Sequence, residues 1–243
     1  MLAHYRIVIE YDGTAFSGWQ IQPGLRTIQN EIITGICKIS GETVNLSGAG
    51  RTDAGVHAFG QVADFGLKKD IKPLAFLLSL NAVTPEDIAI RSIQEVEPEF
   101  DSRRDALSRI YTYRIHQGPT ALNRNLVWAI NYELDTDLMN KACDEIAGEH
   151  DFAAFSIQKS LKTNNTCNVI GSSWRRIGAE LLFTIEANRF LHGMVRTLVG
   201  SFVEIGKNKM PIEEFRRIIA DGDYAAAGTK APARGLCLVK VIY

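Results

Sequence analysis

The sequence predicts an α+β fold with mixed or antiparallel sheets. Three observations lead there. Stretches with strand alternation and stretches with helical periodicity occur along the whole chain. The helices separate strands without the regular beat of a βαβα array. Apolar residues make up 46% of 243 residues, enough for a sizeable packed core. At about 150 residues per domain, the length fits one large domain or two fused halves. We place the halves at 1–100 and 101–243.

In the first half, residues 5–11 are β-rich and end at the turn signal Asp12-Gly13. Thr27 precedes Ile28, Ile32, Ile36 and Ile39, which share one helix face, and Gly41 is the stop. Residues 43–47 read as a strand, followed by a glycine-rich stretch and a second strand over 56–65. Pro73 can start a helix with Leu74, Leu77, Leu78 and Ala82 on its buried side. Residues 87–96 alternate as a strand.

In the second half, residues 109–116 alternate. Asp135 can cap a helix that buries Leu138, Ala142 and Ile146 and stops at Gly148. Residues 167–177 and 180–187 read as an antiparallel pair. Phe190 to Val203 reads as an apolar helix ended by Gly206. Pro211 sits at a helix first turn, with Glu213 and Glu214 placed well for the helix dipole. Residues 236–242 close as a strand.

The net charge is −1, from 27 basic and 28 acidic side chains, which excludes a uniformly basic, histone-like chain. It does not exclude a nucleic-acid enzyme, because the charge is segregated. Residues 131–151 hold seven acids against one lysine, whereas 158–178 hold Lys159, Lys162, Arg175 and Arg176 with no acid. Four scattered cysteines form no CxxC pair and five histidines no HxxxH pair. This argues for a reducing compartment without a disulfide framework or metal cage. No apolar run approaches the ~20 residues of a membrane helix, and Met1–Arg6 leads into a strand without a signal-peptide layout. The expectation is a soluble cytoplasmic protein with no metal.

The densest stretch for chemistry is Ser47-Gly48-Ala49-Gly50-Arg51-Thr52-Asp53-Ala54-Gly55-Val56-His57. Its glycines permit close ligand approach, but the same stretch also reads as a plain turn between two strands. It lacks the Gly-Lys-Ser/Thr end of a phosphate loop and the third glycine of a dinucleotide fingerprint. What remains is Asp53 close to Arg51, and a nearby guanidinium keeps a carboxylate ionised. That suits a nucleophile or an electrostatic stabiliser. Arg109, Tyr111 and Tyr113 share one strand face beside Arg103, Arg104 and Arg114. This mixes stacking rings with phosphate-binding cations; a half-buried strand with a solvated charged face fits equally. Arg196, inside the apolar helix, either needs a carboxylate partner or lies on an exposed stripe.

Taken in order, these stretches resemble the tRNA pseudouridine synthase A (TruA) family. The resemblance runs through Tyr11-Asp12-Gly13-Thr14, Gly18-Trp19-Gln20-Ile21-Gln22, Gly48 to Ala58, Gly60-Gln61-Val62-Ala63, Arg109-x-Tyr111-x-Tyr113, Asp151-Phe152-x-x-Phe155, Ala187 to Gly200 and Ala231-Pro232-Ala233-x-Gly235-Leu236. It implies a pseudouridine synthase-like fold, with two similar α/β halves around a central cleft. It implies an isomerase that converts uridine to pseudouridine in the anticodon stem-loop of tRNA, at positions 38, 39 and 40. It also implies no cofactor, no metal and a homodimer. Asp53 maps onto the family's catalytic aspartate, Tyr111 onto the tyrosine that packs on the target base, and Arg196 onto the aspartate's ion-pair partner. Arg51 maps onto the arginine that holds the flipped nucleotide. Arg103, Arg104 and Lys68 join Arg51 and Tyr111 as expected substrate contacts. Two segments depart from the family pattern: Phe100-Asp101-Ser102-Arg103, where relatives read Phe-His-Ala-Arg, and Asn168, where arginine is usual. Two other classes stand beside this one: a tRNA-binding protein without catalysis, and a nucleotide-cofactor enzyme built on the glycine-rich loop.

Overall fold

Alternation and helical periodicity become ten strands and five α-helices among the described residues, 3–222 and 227–243 of a computed structural model. The strands are β1 (Ala3–Tyr11), β2 (Ser47–Gly48), β3 (His57–Leu67), β4 (Ile88–Val96), β5 (Ser108–Gln117), β6 (Trp128–Ile130), β7 (Gly148–Asp151), β8 (Thr166–Ile177), β9 (Glu180–Ala187) and β10 (Leu236–Ile242). The helices are α1 (Ile28–Ser40), α2 (Pro73–Val83), α3 (Thr136–Glu145), α4 (Met194–Gly206) and α5 (Ile212–Asp221). The chain divides into two compact units, Met1–Leu107 with Leu238–Tyr243, and Ser108–Cys237. Contacts therefore divide it at 107/108, and the end of the last strand belongs with the first unit.

In the first unit the strand order is β4-β1-β3-β10, with β2 paired to β3. β1 is antiparallel to both neighbours, opposing Ile7 to Ala63 on one side and to Ile93 on the other. α1 runs from Thr27 to a left-handed Gly41, as its sequence signals require. Its Ile28, Ile32 and Ile36 are fully buried, each contributing about 1.5–3 kcal/mol. α2 packs close to α1: a Cβ on Gly35 would stand 2.9 Å from Leu80 Cδ1.

Two expectations fail in this unit. Residues 43–46 are not a strand. Val44 and Leu46 do alternate inward, but the Leu46 carbonyl accepts from the Gln29 side chain (2.8 Å). The Glu42 carboxylate accepts the Lys68 and Lys69 amides (2.9 and 3.2 Å), so neighbouring groups replace a ladder partner. In α2 the buried side chains are Phe76 and Leu80, while Leu74 and Leu78 are 69% and 64% exposed. The helix is apolar almost all round, so periodicity selects no face. Tertiary contact chooses instead, with Phe76 stacked on Phe65 at 6.3 Å.

In the second unit the order is β5-β9-β8-β7, antiparallel throughout, with the short β6 parallel to β5. Asp135 caps α3 by accepting the Asp137 and Leu138 amides, both at 3.0 Å. One aromatic chain joins sheet to helices: Trp174 stacks on Phe183 (4.9 Å), Phe183 meets Phe202 (5.3 Å), and Phe202 meets Phe215 (5.6 Å). α4 begins at Met194, not at Phe190, because Gly193 takes a left-handed φ of 80° and breaks the helix there. Phe190 is thereby released to pack edge-on against Tyr111 at 5.1 Å.

Candidate active site

The Asp53 loop is held from both sides by backbone bonds. On its entry side, β2 pairs Gly48 with Ala63, and the Ala49 amide donates to the Val62 carbonyl (2.8 Å). The buried Gln61 side chain donates to the Gly50 carbonyl (2.8 Å). At the centre, the Tyr11 hydroxyl and Thr52 Oγ1 share a buried hydrogen bond of 2.8 Å, and the Trp19 amide donates to the Thr52 carbonyl (3.1 Å). On the exit side, the Val56 amide donates to the Asp53 carbonyl (3.2 Å) and the Gly55 amide to the Phe16 carbonyl (3.3 Å).

Packing leaves no slack around these bonds. A Cβ on Gly48 would stand 2.6 Å from the Trp19 ring. Gly18, at φ +93°, brings its own backbone so close that a Cβ would stand 2.7 Å from the Thr52 carbonyl oxygen. Asp53 is half-buried and Arg51 is exposed, so the loop offers a carboxylate and a guanidinium from one rigid frame. The neighbouring Asp12 turn is similarly fixed. Burial works against ionisation of Asp12, but donation from the Thr14 hydroxyl and amide, with His57 nearby, outweighs it and holds the carboxyl below its usual pKa.

The second unit carries Tyr111 and Arg196. Arg109, Tyr111 and Tyr113 are buried on one face of β5, as the alternation requires. A solvated charged face is therefore excluded for these three. Arg109 Nη1 donates to the Asn188 carbonyl (2.9 Å). On the opposite face, Arg114 is bidentate with Glu180 (2.9 and 2.8 Å). Burial pushes the Tyr113 phenol well above its usual pKa, against the opposing pull of Arg196 and Arg234.

Arg196 sits in the first turn of α4, half-buried. Its Nε donates to the Ala231 carbonyl (2.7 Å), and the Ala231 amide donates back to the Arg196 carbonyl (3.0 Å). Segment 228–235 lies along α4 so tightly that a Cβ on Gly200 would overlap the Thr229 carbonyl, 2.8 Å from its carbon. Arg196 is thus neither on an open stripe nor loosely held.

Arg103 and Arg104 are exposed on a turn that Asp101 and Ser102 build. Asp101 Oδ1 accepts the Arg103 and Arg104 amides (2.9 and 2.8 Å). Ser102 is fully buried, its amide donating to Asp64 Oδ1 (2.8 Å) and its hydroxyl to the Ser47 carbonyl (3.1 Å). Arg104 Nε also pairs with Asp101 at 3.0 Å. Asn168 exchanges two bonds with Asn188, its amide donating to Asn188 Oδ1 (2.9 Å) and its carbonyl accepting the Asn188 amide (3.1 Å). Lys68 is exposed just past β3, at the end away from Asp53. At about 3.3 Å per residue the length of β3 puts roughly 33 Å between it and the exit side of that loop. Tyr11, Trp19 and Gln61 support the loop without having been assigned a role from sequence. The motif blocks that contain them were the available signal.

Among the described residues, no group of three or more His, Cys, Asp or Glu side chains is placed to hold a metal ion. No helix there is long and apolar enough to cross a membrane.

A family model described as tRNA pseudouridine synthase matches residues 7–103 and 142–243. The chain is 38% identical over 244 residues to the tRNA pseudouridine synthase A of Geotalea daltonii, with all of both chains covered. It is 39% identical over 240 residues to that of Brevibacillus brevis, covering 98% of each chain. It is 40% identical over 244 residues to that of Parabacteroides distasonis, covering 100% of this chain and 96% of the relative.

Proposed function

The chain belongs to the tRNA pseudouridine synthase family, and on that premise we propose that it isomerises uridine to pseudouridine in the anticodon stem-loop of tRNA, at positions 38, 39 and 40. The C1′–N1 glycosidic bond breaks and a C1′–C5 bond forms. The C5 hydrogen leaves as a proton and N1 gains one, so the balance needs no oxidant or reductant. A stacked base cannot turn in place, so the nucleotide is flipped first, at a cost of a few kcal/mol.

Asp53 supplies the carboxylate that meets the positive charge developing at C1′. Tyr111 supplies the ring that packs on the uracil while it turns. Arg196 supplies positive charge at the reacting centre. Arg51, exposed beside Asp53, holds the flipped nucleotide, and Arg103, Arg104 and Lys68 bind phosphates. The working form is a cytoplasmic homodimer.

The observation that carries this reading is the Asp53 loop. Backbone bonds fix it on both sides while Asp53 itself stays half-buried, a frame that suits a group required at one position in the transition state. The competing classes leave that frame without a purpose. The test is tritium release from C5-labelled uridine in an unmodified tRNA transcript, followed by mapping of the product position. Asp53→Ala is expected to abolish release while tRNA binding survives. Full release by that variant overturns the assignment. A parent protein that binds tRNA tightly without turnover points to the non-catalytic class.

A further inference from the structure

We infer that Tyr113, the second tyrosine of the β5 strand, is a positioning residue that sets the orientation of Arg196 through segment 231–235. Tyr113 is fully buried and its hydroxyl donates to the Pro232 carbonyl at 2.8 Å. Gly235 lies against the same ring, where a Cβ would stand 2.6 Å from two of its carbons. The segment is therefore clipped to β5 at two points by one side chain.

One residue before Pro232, the Ala231 carbonyl receives Arg196 Nε at 2.7 Å, and the Ala231 amide donates to the Arg196 carbonyl at 3.0 Å. The peptide linking Ala231 to Pro232 thus sits between the tyrosine and the arginine. Between the two carbonyls lie that planar peptide, the ring-locked φ of Pro232 and its single ψ torsion, so a shift at one carbonyl passes to the next with one soft torsion between them. A guanidinium is a planar fork whose direction matters as well as its charge. Holding Nε leaves the two terminal nitrogens aimed along a fixed line.

The inference rests on the reading of Arg196 as a cation at the reacting centre. It differs from a plain packing role for Tyr113 in what it couples. Three variants test it: Tyr113→Phe, Arg196→Lys, which keeps the charge but has no Nε donor, and the pair together. Tritium release is followed across tRNA concentrations, with a thermal melt of each protein to verify folding.

The expected result is a kcat about 10–100-fold lower in each single variant, with KM for tRNA within about twofold of the parent. The double variant matches Arg196→Lys. Tyr113→Phe at the parental kcat overturns the inference, whatever Arg196 does. So does a double variant lowered by both factors multiplied, or a loss confined to KM. A fourth variant, Arg196→Ala, separates the two questions, because at the parental rate it overturns the catalytic reading of Arg196 itself.

Discussion

Gly200→Ala places one methyl group where α4 and segment 228–235 already touch. In most helix interiors that exchange stabilises, by about 0.5–1 kcal/mol. Here the new Cβ overlaps the Thr229 carbonyl oxygen and stands 2.8 Å from the Thr229 carbonyl carbon. Ordinary carbon–carbon contact is about 3.5–4.0 Å, so the segment must retreat by about 1 Å. The partner is backbone, and no side-chain rotation relieves the overlap. Such overpacking costs about 1–3 kcal/mol. For a chain of this size each kcal/mol lowers Tm by about 2–4 °C.

The retreat also reaches the Arg196 Nε bond to Ala231, which is 2.7 Å long. An added ångström takes it past the ~3.2 Å reach of a useful N–H···O bond. A misplacement of that size at a reacting group costs about 100-fold in rate. The assays are a thermal melt and single-turnover tritium release. Gly35→Ala serves as the contrast, since its Cβ meets side-chain methyl groups and no backbone, Leu80 Cδ1 at 2.9 Å and Thr84 Cγ2 at 3.3 Å, and side chains can shift. If Gly200→Ala melts and turns over like the parent, the close approach along α4 is not a constraint and the reasoning fails.

Two further perturbations follow from the first unit. Thr52→Val keeps the shape but deletes the 2.8 Å bond to the Tyr11 hydroxyl. It should lower stability by about 0.5–1.5 kcal/mol and slow turnover at unchanged tRNA affinity; an unaltered melt would count against a stabilising role for that bond. Asp101 gives a pH prediction. Burial raises its pKa, but the Arg104 and Arg103 amides with the Arg104 charge outweigh this and hold it below the usual value. Its contribution is therefore complete above the unfolded pKa of about 4 and is lost as pH falls through the depressed folded value. Denaturant melts from pH 5 down to pH 2 should show Asp101→Asn losing less stability on acidification than the parent, and parallel curves would refute this.

Local signals and tertiary choices separate cleanly in this molecule. α1 was legible because Thr27, the isoleucine spacing and Gly41 all act within the helix itself. The antiparallel pair β8–β9 was legible because alternation on either side of a short turn is likewise local. α2 was legible as a helix but not in its orientation, since eleven mostly apolar residues carry no preferred face until Phe65 and Gly35 supply one. The start of α4 was misplaced because Phe190 and Leu191 satisfy apolar periodicity, while the break depends on the backbone angle at Gly193. At the candidate site, the loop could be found from its glycines and charges. Its fixation could not, because Tyr11 and Trp19 reach it across long stretches of chain, and Gln61 does so only once the following strand has folded back beside it. The same holds for Tyr113, whose partner Pro232 is far along the sequence.

The close packing around the Asp53 loop also decides how its sequence can drift. At Gly18 and Gly48 an added carbon collides with backbone or an indole ring. Thr52 and Val56 are interior. Arg51 and Ala54 face outward. Variation that leaves the carboxylate in place is thus steered toward the two outward-facing positions. A lineage could retune what it recognises at 51 and 54 while the scaffold beneath stays frozen, and a library confined to those two codons would sample that freedom.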